Sequence, residues 1–251
     1  MLTDDDLRSF GEDGYLLLHD VIDGELLEAI DADIDSVVDE KPPPPGTVGA
    51  YRYYKRPERI PAASDSFHRT SIPDLVGQLV APYRAVLAFE HIQIVLNIPP
   101  NPARAPRPHV DGHLAHQDKP DTFSVLAGIF LGDETNIDQG NIWVWPGSHR
   151  QHEHVYGRVG VRGLLPYGGQ AALLDPPEFY DEPVPILARR GDVLLAHYLL
   201  GHATGANTSD HVRRVVYHRI VAEGHEDRWA STLTDAFHEF EPVRGTLDRT
   251  V

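Results

Sequence analysis

The sequence predicts a mainly β protein of the α+β class, in which a sandwich or barrel of short strands follows an N-terminal helical region. From residue 91 onward, short runs of β-favouring residues are separated by clusters of Pro, Gly, Asn and Asp, a pattern typical of sandwiches and barrels. Strands and helices do not alternate regularly along this part of the chain, which argues against a parallel α/β sheet.

The helical signals lie in the first ninety residues. Thr3 precedes three aspartates, as expected for an N-cap with anions on the first turn, and this helix is predicted to end near Gly11 or Gly14. Apolar residues recur at helical spacing from Gly24 to Val38, which predicts a second helix. A third helix is predicted from Ile72 to Phe89.

The intervening segments are predicted to be extended or irregular. Tyr15 to His19 is predicted to form a strand between the first two helices. Four consecutive prolines begin at Pro42 and prevent helix formation. The stretch from Lys41 to about Ser66 is therefore predicted to be a loop that covers a site.

Six strand-like runs follow the helical region. They are His91 to Ile98, Pro108 to Leu114, Phe123 to Leu131, Asn141 to Trp145, Asp192 to His197 and Arg213 to Val221. The Gly- and Pro-rich segment 151–185 lies between strands and is predicted to be an insertion over the barrel mouth. We therefore expect one domain over 1–251, with a helical and loop region 1–90, a β core 91–221 and a C-terminal tail 222–251.

Charge and composition restrict the partners and the chemistry. The formal net charge is −16, from 38 acidic and 22 basic residues, without a basic cluster, so neither nucleic acid nor an anionic membrane is an expected partner. Cysteine is absent and histidine occurs 15 times, so a metal site would use His, Asp or Glu ligands. Without a leader-like or membrane-spanning apolar segment, the expected location is the cytoplasm.

The spacing of His109 and Asp111 is the strongest chemical signal. Alternate residues of a strand project from the same face, so both side chains can reach one ion. Two histidines and one carboxylate form the facial triad that binds non-haem Fe(II) and leaves coordination positions open. His202 follows the apolar run from Val193 to Ala196 and supplies a candidate third ligand, and Arg213 lies eleven residues further on, the length of a strand, a turn and a returning strand.

The sequence leaves two alternatives open, one for the distal histidine and one for the arginine. His197 also follows the apolar run, but it would leave sixteen residues to Arg213, so the interval favours His202. Strand alternation places Arg213 on one face, with Tyr217 and Arg219, and Arg214 on the other. If Arg213 points inward, Arg214 should be solvated.

Several segments together resemble the phytanoyl-CoA dioxygenase family of Fe(II)- and 2-oxoglutarate-dependent oxygenases. They are His109-Val110-Asp111, the run from Gly140 through Pro146-Gly147-Ser148-His149, the stretch from Gly191-Asp192 to His202, Asn207 and Arg213, and the opening from Leu2 to the Leu26-Leu27 helix. The resemblance implies a double-stranded β-helix, a jelly-roll or cupin-like barrel with the N-terminal helices packed outside. It also implies that His109, Asp111 and His202 bind Fe(II) and that Arg213 binds the distal carboxylate of 2-oxoglutarate.

The same resemblance suggests further site residues. Thr204 and Ile94 match positions that contact the cosubstrate in the family, although a strand-edge threonine and a core isoleucine are the alternatives. A basic residue near Arg52 or Lys55 would also reach the cosubstrate. The candidates for substrate contact are His113, which shares a strand face with the ligands, and Asn141 and Trp143 on the predicted strand from Asn141 to Trp145.

The implied activity consumes 2-oxoglutarate and O2, releases succinate and CO2, and hydroxylates an unactivated C–H bond of a small molecule. Related halogenases replace the acidic ligand with Gly or Ala, so Asp111 disfavours halogenation. The acidic chain also disfavours an acyl-CoA substrate and favours a small metabolite or natural-product intermediate. The alternatives are a cupin-type metalloenzyme that does not use 2-oxoglutarate and a non-catalytic ligand-binding barrel.

Overall fold

The computed structural model describes residues 1–102, 108–112, 120–159 and 181–249. The described helices are α1 Asp4–Asp13, α2 Gly24–Glu40, α3 Pro61–His68, α4 Ile72–Val80, α5 Ser148–Val159, α6 Trp229–Thr234 and α7 Glu241–Asp248. The described strands are β1 Tyr15–Leu18, β2 Gly49–Lys55, β3 Ala85–Leu87, β4 Ile92–Ile98, β5 Val125–Phe130, β6 Ile142–Val144, β7 Val184–Pro185, β8 Val193–His197, β9 His202–Thr204 and β10 Arg213–Ala222.

The strands form two antiparallel sheets. The larger sheet has the order β1-β8-β5-β10-β4-β2, with β3 added beside β10, and the smaller sheet has the order β7-β6-β9. The ten-residue strand β10 lies between β5 and β4 and pairs with both. The expectation of a sheet-rich, antiparallel α+β protein is therefore confirmed.

Two apolar clusters lie on opposite faces of the larger sheet. One, the outer core, joins residues such as Val216 and Ile220 of β10 to the N-terminal helices. The other, the inner core, joins Val215 and Tyr217 of β10 to Ile142 of the smaller sheet. Because alternate residues of β10 contribute to opposite clusters, its odd-numbered positions face the space between the two sheets.

Helix α1 begins and ends as the sequence predicts. The Thr3 side chain accepts a hydrogen bond from the Asp6 N–H, and the Asp6 carboxylate accepts one from the Thr3 N–H, which completes a capping box. The helix ends at Gly14, whose φ of 86° is in the left-handed region that glycine adopts without strain. The chain then enters β1, which pairs with β8.

Two N-terminal segments differ from the sequence-based expectation. The expected loop from Lys41 to Ser66 contains β2, which pairs with β4 over seven positions, and most of α3. The predicted third helix corresponds to α4, which ends at Val80 rather than Phe89. Pro82 lacks an N–H and disfavours helical backbone before it. Strand β3 follows where the helix was expected to continue.

The later segments add helices to the β core. Helix α5 begins at Ser148 and covers the start of the expected insertion 151–185, of which residues 160–180 lie outside the described residues. The expected tail 222–251 contains α6 and α7, and α7 packs closely on α1 beside Gly11. Of the helices that the structure describes, none combines the length and the apolar character needed to span a bilayer.

Two buried histidine side chains are expected to lower the free energy of unfolding in acid. Burial lowers the pKa of His197 and of His218 to about 4. Because the pKa of histidine in the unfolded chain is about 6.5, only the unfolded chain takes up these protons as pH falls from 6.5 towards 4. As far as these two groups are concerned, the free energy of unfolding is therefore at its full value above about pH 6.5. Each imidazole should lower that free energy by about 2 kcal/mol near pH 5.

Urea unfolding at about pH 7.5 and about pH 5 measures this loss. His218→Gln should reduce the difference between the two free energies, because glutamine does not titrate. The matched control is His211→Gln, since His211 is partly exposed in the turn before β10. An unchanged pH dependence in His218→Gln would show that His218 does not contribute.

Candidate metal centre

Three candidate ligand side chains converge in the space between the two sheets. His109 Nε2 lies 3.6 Å and His202 Nε2 lies 3.8 Å from Asp111 Oδ1. Within the described part of the chain, these residues form a group whose ligand atoms all lie within 4.8 Å of one another. Such distances are too long for hydrogen bonds but suit atoms that share one ion.

Backbone pairing places the two histidines opposite each other. His109 and His202 exchange both backbone hydrogen bonds, at 2.9 and 3.0 Å, although they are 93 positions apart in the printed sequence. The His202 Nδ1–H donates to the Leu200 carbonyl at 3.0 Å. This bond fixes the tautomer in which Nε2 is free to bind a metal.

The Pro-Gly-Ser-His segment acts on the centre through the loop before β9. The Ser148 hydroxyl accepts a hydrogen bond from the Gly201 N–H at 2.8 Å, directly before His202. The Trp145 N–H donates to the Gly201 carbonyl at 2.9 Å. The segment therefore holds the backbone that orients His202.

His197, the alternative ligand, is occupied elsewhere. Its Nε2 donates to the Ala236 carbonyl at 2.8 Å, and its Nδ1 accepts from the Leu199 N–H at 3.0 Å. Both ring nitrogens are thus used within the fold. The structure brings His202, and not His197, to His109 and Asp111.

The Asp111 carboxylate is held in its charged form. Burial alone would raise its pKa, but the two histidines and the charge of Arg219 outweigh burial and hold the pKa well below its usual value. Burial and the neighbouring His202 lower the pKa of His109. Near neutral pH the centre therefore offers a carboxylate and a neutral imidazole at His109, the forms that bind cations.

A small cavity of about 30 Å³, open to solvent, adjoins these candidate ligands. Its lining residues are Arg52, Gln93, Val95, His109, Asp111, Leu126, Ile142, His202, Thr204 and Tyr217. Thr204 thus lies in the same cavity as the three candidate ligands. Of the two basic candidates, Arg52 lines the cavity, whereas Lys55 lies 3.8 Å from Glu40.

Arg213 is buried at the start of β10. Its Nε donates to Glu134 Oε1 at 2.8 Å, and both side chains are only 1% exposed. Its Nη2 donates to the Tyr217 hydroxyl oxygen at 3.4 Å. Burial would lower the pKa of Arg213, but Glu134 and Tyr217 outweigh burial and raise it.

The turn between β9 and β10 is fixed by Asn207. Its side-chain amide donates to the carbonyls of Asn97 and His211 at 2.8 and 3.0 Å. These bonds tie the turn to the end of β4. The eleven-residue interval from His202 to Arg213 therefore brings the guanidinium back between the sheets. Arg214 faces the other way and pairs with Asp31 and Asp35 of α2.

The lining of the cavity does not include four predicted site residues, Ile94, Asn141, Trp143 and Arg213, of which Arg213 donates to the lining residue Tyr217. Ile94 belongs to the outer core, and its neighbours Gln93 and Val95 line the cavity instead. The fully buried Asn141 side chain donates to the carbonyls of Glu134 and Ile186.

Trp143 lies on the opposite face of β6 from Ile142, which lines the cavity, and its indole covers Gly205. In both strands the expected residue is one position from the residue that faces the site. His113 lies outside the described residues.

The profile of the phytanoyl-CoA dioxygenase (PhyH) family matches residues 10–215 of the chain. The chain belongs to the phytanoyl-CoA dioxygenase family. The family is one of oxygenases, so the expected enzyme class is confirmed. The matched region contains all three metal-ligand candidates and Arg213.

Comparison with known proteins supports this membership. A phytanoyl-CoA dioxygenase domain-containing protein 1 of Rattus norvegicus is 28% identical over 127 residues, which are 47% of this chain and 43% of the rat protein. The match thus spans less than half of that relative.

Solved structures share the fold at low identity. The non-haem 2-oxoglutarate-dependent carbocyclase SnoK from nogalamycin biosynthesis aligns with a TM-score of 0.65 and 21% identity over 90% of each chain. HygX from Streptomyces hygroscopicus, solved with nickel and 2-oxoglutarate, aligns with a TM-score of 0.61 and 16% identity over 89% of this chain and 88% of its own. At these identities, the likeness concerns the fold.

Proposed function

We propose that this protein is an Fe(II)- and 2-oxoglutarate-dependent dioxygenase that hydroxylates an unactivated C–H bond of a small molecule. The observation that carries the proposal is the convergence of His109, Asp111 and His202 between two sheets that also bury Arg213. The opposed sheets support a double-stranded β-helix as the scaffold. We also propose one oxygenase domain over 1–251.

The donor set fits iron. His109, Asp111 and His202 would hold Fe(II) and leave coordination positions for other ligands. When bound, Fe(II) supplies the activation of O2 that is coupled to decarboxylation of 2-oxoglutarate. The products of the proposed reaction would be the hydroxylated substrate, succinate and CO2. The remaining steps of binding and orientation belong to the protein's own side chains.

We assign the distal carboxylate of 2-oxoglutarate to Arg213, Tyr217 and Thr204. Arg213 remains charged in a buried position and offers a planar set of donors, which suits a carboxylate. Because the Tyr217 oxygen accepts from Arg213, its own proton can be donated to the cosubstrate. Val95, Leu126 and Ile142 supply the apolar wall that limits water beside the iron.

The substrate class is a small metabolite or a natural-product intermediate. Among the solved relatives, SnoK is a carbocyclase of nogalamycin biosynthesis and HygX has been solved with hygromycin B bound. The formal net charge of −16 disfavours a polyanionic acyl-CoA substrate.

Anaerobic titration with Fe(II) and then 2-oxoglutarate tests the proposal. A functional site should give a weak visible charge-transfer band that requires both additions. After O2 is admitted, succinate should be released, and a screen of candidate metabolites should identify compounds that increase its rate. Turnover without 2-oxoglutarate would favour a cupin-type enzyme, and the absence of both band and succinate would favour a non-catalytic barrel.

Gly128 provides a separate test of the cosubstrate assignment. It lies opposite Tyr217 in the sheet, and a Cβ at this position would lie 2.6 Å from Tyr217 Cε1. Gly128→Ala should displace the Tyr217 ring, destabilise the protein by about 1–3 kcal/mol and weaken 2-oxoglutarate binding.

Fe(II) affinity should change little in Gly128→Ala, because the ligand side chains are not displaced. Gly132→Ala is the matched control, since a Cβ there meets no atom within 4 Å. Titration of the charge-transfer band measures both affinities. Unchanged 2-oxoglutarate affinity in Gly128→Ala would remove Tyr217 from the cosubstrate site.

A further inference from the structure

Arg219 contacts a candidate metal ligand directly. It lies two positions beyond Tyr217 on the inner face of β10, and its Nη2 donates to Asp111 Oδ2 at 2.6 Å. Its side chain is only 12% exposed, and its guanidinium carbon lies 5.6 Å from the centroid of the Phe123 ring. The contact is therefore a short, charge-assisted hydrogen bond at a largely buried site.

The two oxygens of Asp111 face different partners. Oδ1 faces the Nε2 atoms of His109 and His202 at 3.6 and 3.8 Å. Oδ2 accepts the hydrogen bond from Arg219. An oxygen that a guanidinium already binds is a poor second ligand for a cation, because both positive charges would compete for it.

We propose that Arg219 is a positioning residue that keeps Asp111 a one-oxygen metal ligand and so leaves an additional coordination position open. The inference rests on the proposed function, because the open position is needed only if 2-oxoglutarate occupies two positions and O2 requires another. A carboxylate that bound through both oxygens would fill that position. Arg219 thus favours reactivity at the centre over maximal metal affinity.

The charges around the site agree with this role. Asp111 pairs with Arg219, and Glu134 pairs with Arg213, so each of these two carboxylates is balanced by one guanidinium group, while the exposed Arg52 adds a further cation at the cavity. A divalent metal and the doubly charged cosubstrate then add no net charge to the interior. This balance favours the joint presence of the two, because either one alone would leave uncompensated charge in a buried site.

Arg219→Met provides the test, because methionine removes the guanidinium and retains much of its apolar volume. Fe(II) is added anaerobically, then 2-oxoglutarate, then nitric oxide as a probe of the last open position. We expect Arg219→Met to bind Fe(II) at least as tightly as wild type and to lose the electron paramagnetic resonance signal of the nitric oxide adduct. Arg219→Lys should retain part of that signal, since lysine keeps one charged donor.

Arg214→Met is the matched control. It removes a guanidinium from the adjacent position of the same strand, but one that pairs with Asp31 and Asp35 on the outer face. This control should keep both Fe(II) binding and the nitric oxide signal.

A wild-type nitric oxide signal in Arg219→Met would overturn the inference. If both Arg219 variants lost Fe(II) binding and also lost thermal stability, the inference would be overturned too, because that result indicates only a structural role. If wild type itself forms no complex with Fe(II) and 2-oxoglutarate, the proposed function fails instead.

Discussion

Arg213→Met is expected to abolish 2-oxoglutarate binding and to destabilise the fold by roughly 3–5 kcal/mol. The first effect follows from loss of the buried cation proposed to bind the distal carboxylate. The second follows because Glu134, which is 1% exposed, would lose the guanidinium that contacts its Oε1. Titration of the charge-transfer band and urea unfolding measure the two effects separately.

The double variant Glu134→Gln, Arg213→Met separates binding from folding. Replacing both members of a buried ion pair with neutral side chains is often close to neutral in stability, whereas removing one member is costly. The double variant should therefore regain most of the lost stability but no 2-oxoglutarate binding. A single variant that kept wild-type cosubstrate affinity would contradict the assignment of Arg213.

Asp111→Asn is expected to lower Fe(II) affinity by more than roughly 100-fold. Loss of a residue that only hydrogen-bonds to a metal ligand can already cost that much, and Asp111 is proposed to be a ligand itself. Asparagine keeps the size of the side chain but removes the charge that faces both histidines. Arg219 would also lose the carboxylate to which it donates at 2.6 Å. Anaerobic calorimetric titration with Fe(II) measures the affinity.

Asp210→Asn is the control for this variant. It makes the same chemical change on a fully exposed residue in the turn before β10, and it should bind Fe(II) as wild type does. If Asp111→Asn retained wild-type affinity, the ion would be held by other groups and the proposed centre would be incorrect.

The sequence predicted most strands of the core because their signals are local, but the expected strand from Pro108 to Leu114 has, within its described residues, only a single bridge at His109 followed by a turn at Asp111. The apolar run before His197, the β-branched residues of β10 and the run ending at Ile98 each coincide with observed strands. The sequence does not reveal strand β2 because it follows a proline-rich segment and lies at the edge of the sheet, where Arg52 and Tyr54 are exposed.

The site residues show a more specific limit. Ile94 and Trp143 lie on the correct strands, yet Val95 and Ile142 line the cavity. Period-two alternation states which residues share a face, but it does not state which face points inward. On β10 the family motif identifies Arg213 as one inward residue. This shows which set of alternate side chains on the strand faces the space between the sheets.

Glu134 had no comparable signal. It follows an apolar strand as an ordinary acidic residue would, and its role becomes visible only when its carboxylate meets Arg213, 79 positions away. The contact between Arg219 and Asp111 spans 108 positions and was equally invisible.

The sequence by itself determined the kinds of chemical group that this protein brings to its centre. It supplied His109 and Asp111 two positions apart, the distant His202 and Arg213, and the family to which the chain belongs. Tertiary structure alone decided which oxygen of Asp111 faces the histidines, which guanidinium each buried carboxylate contacts and which strand faces line the cavity. The physical reason is that local spacing fixes neighbours along one strand, whereas charge pairing and inward phase depend on contacts between strands far apart in the chain.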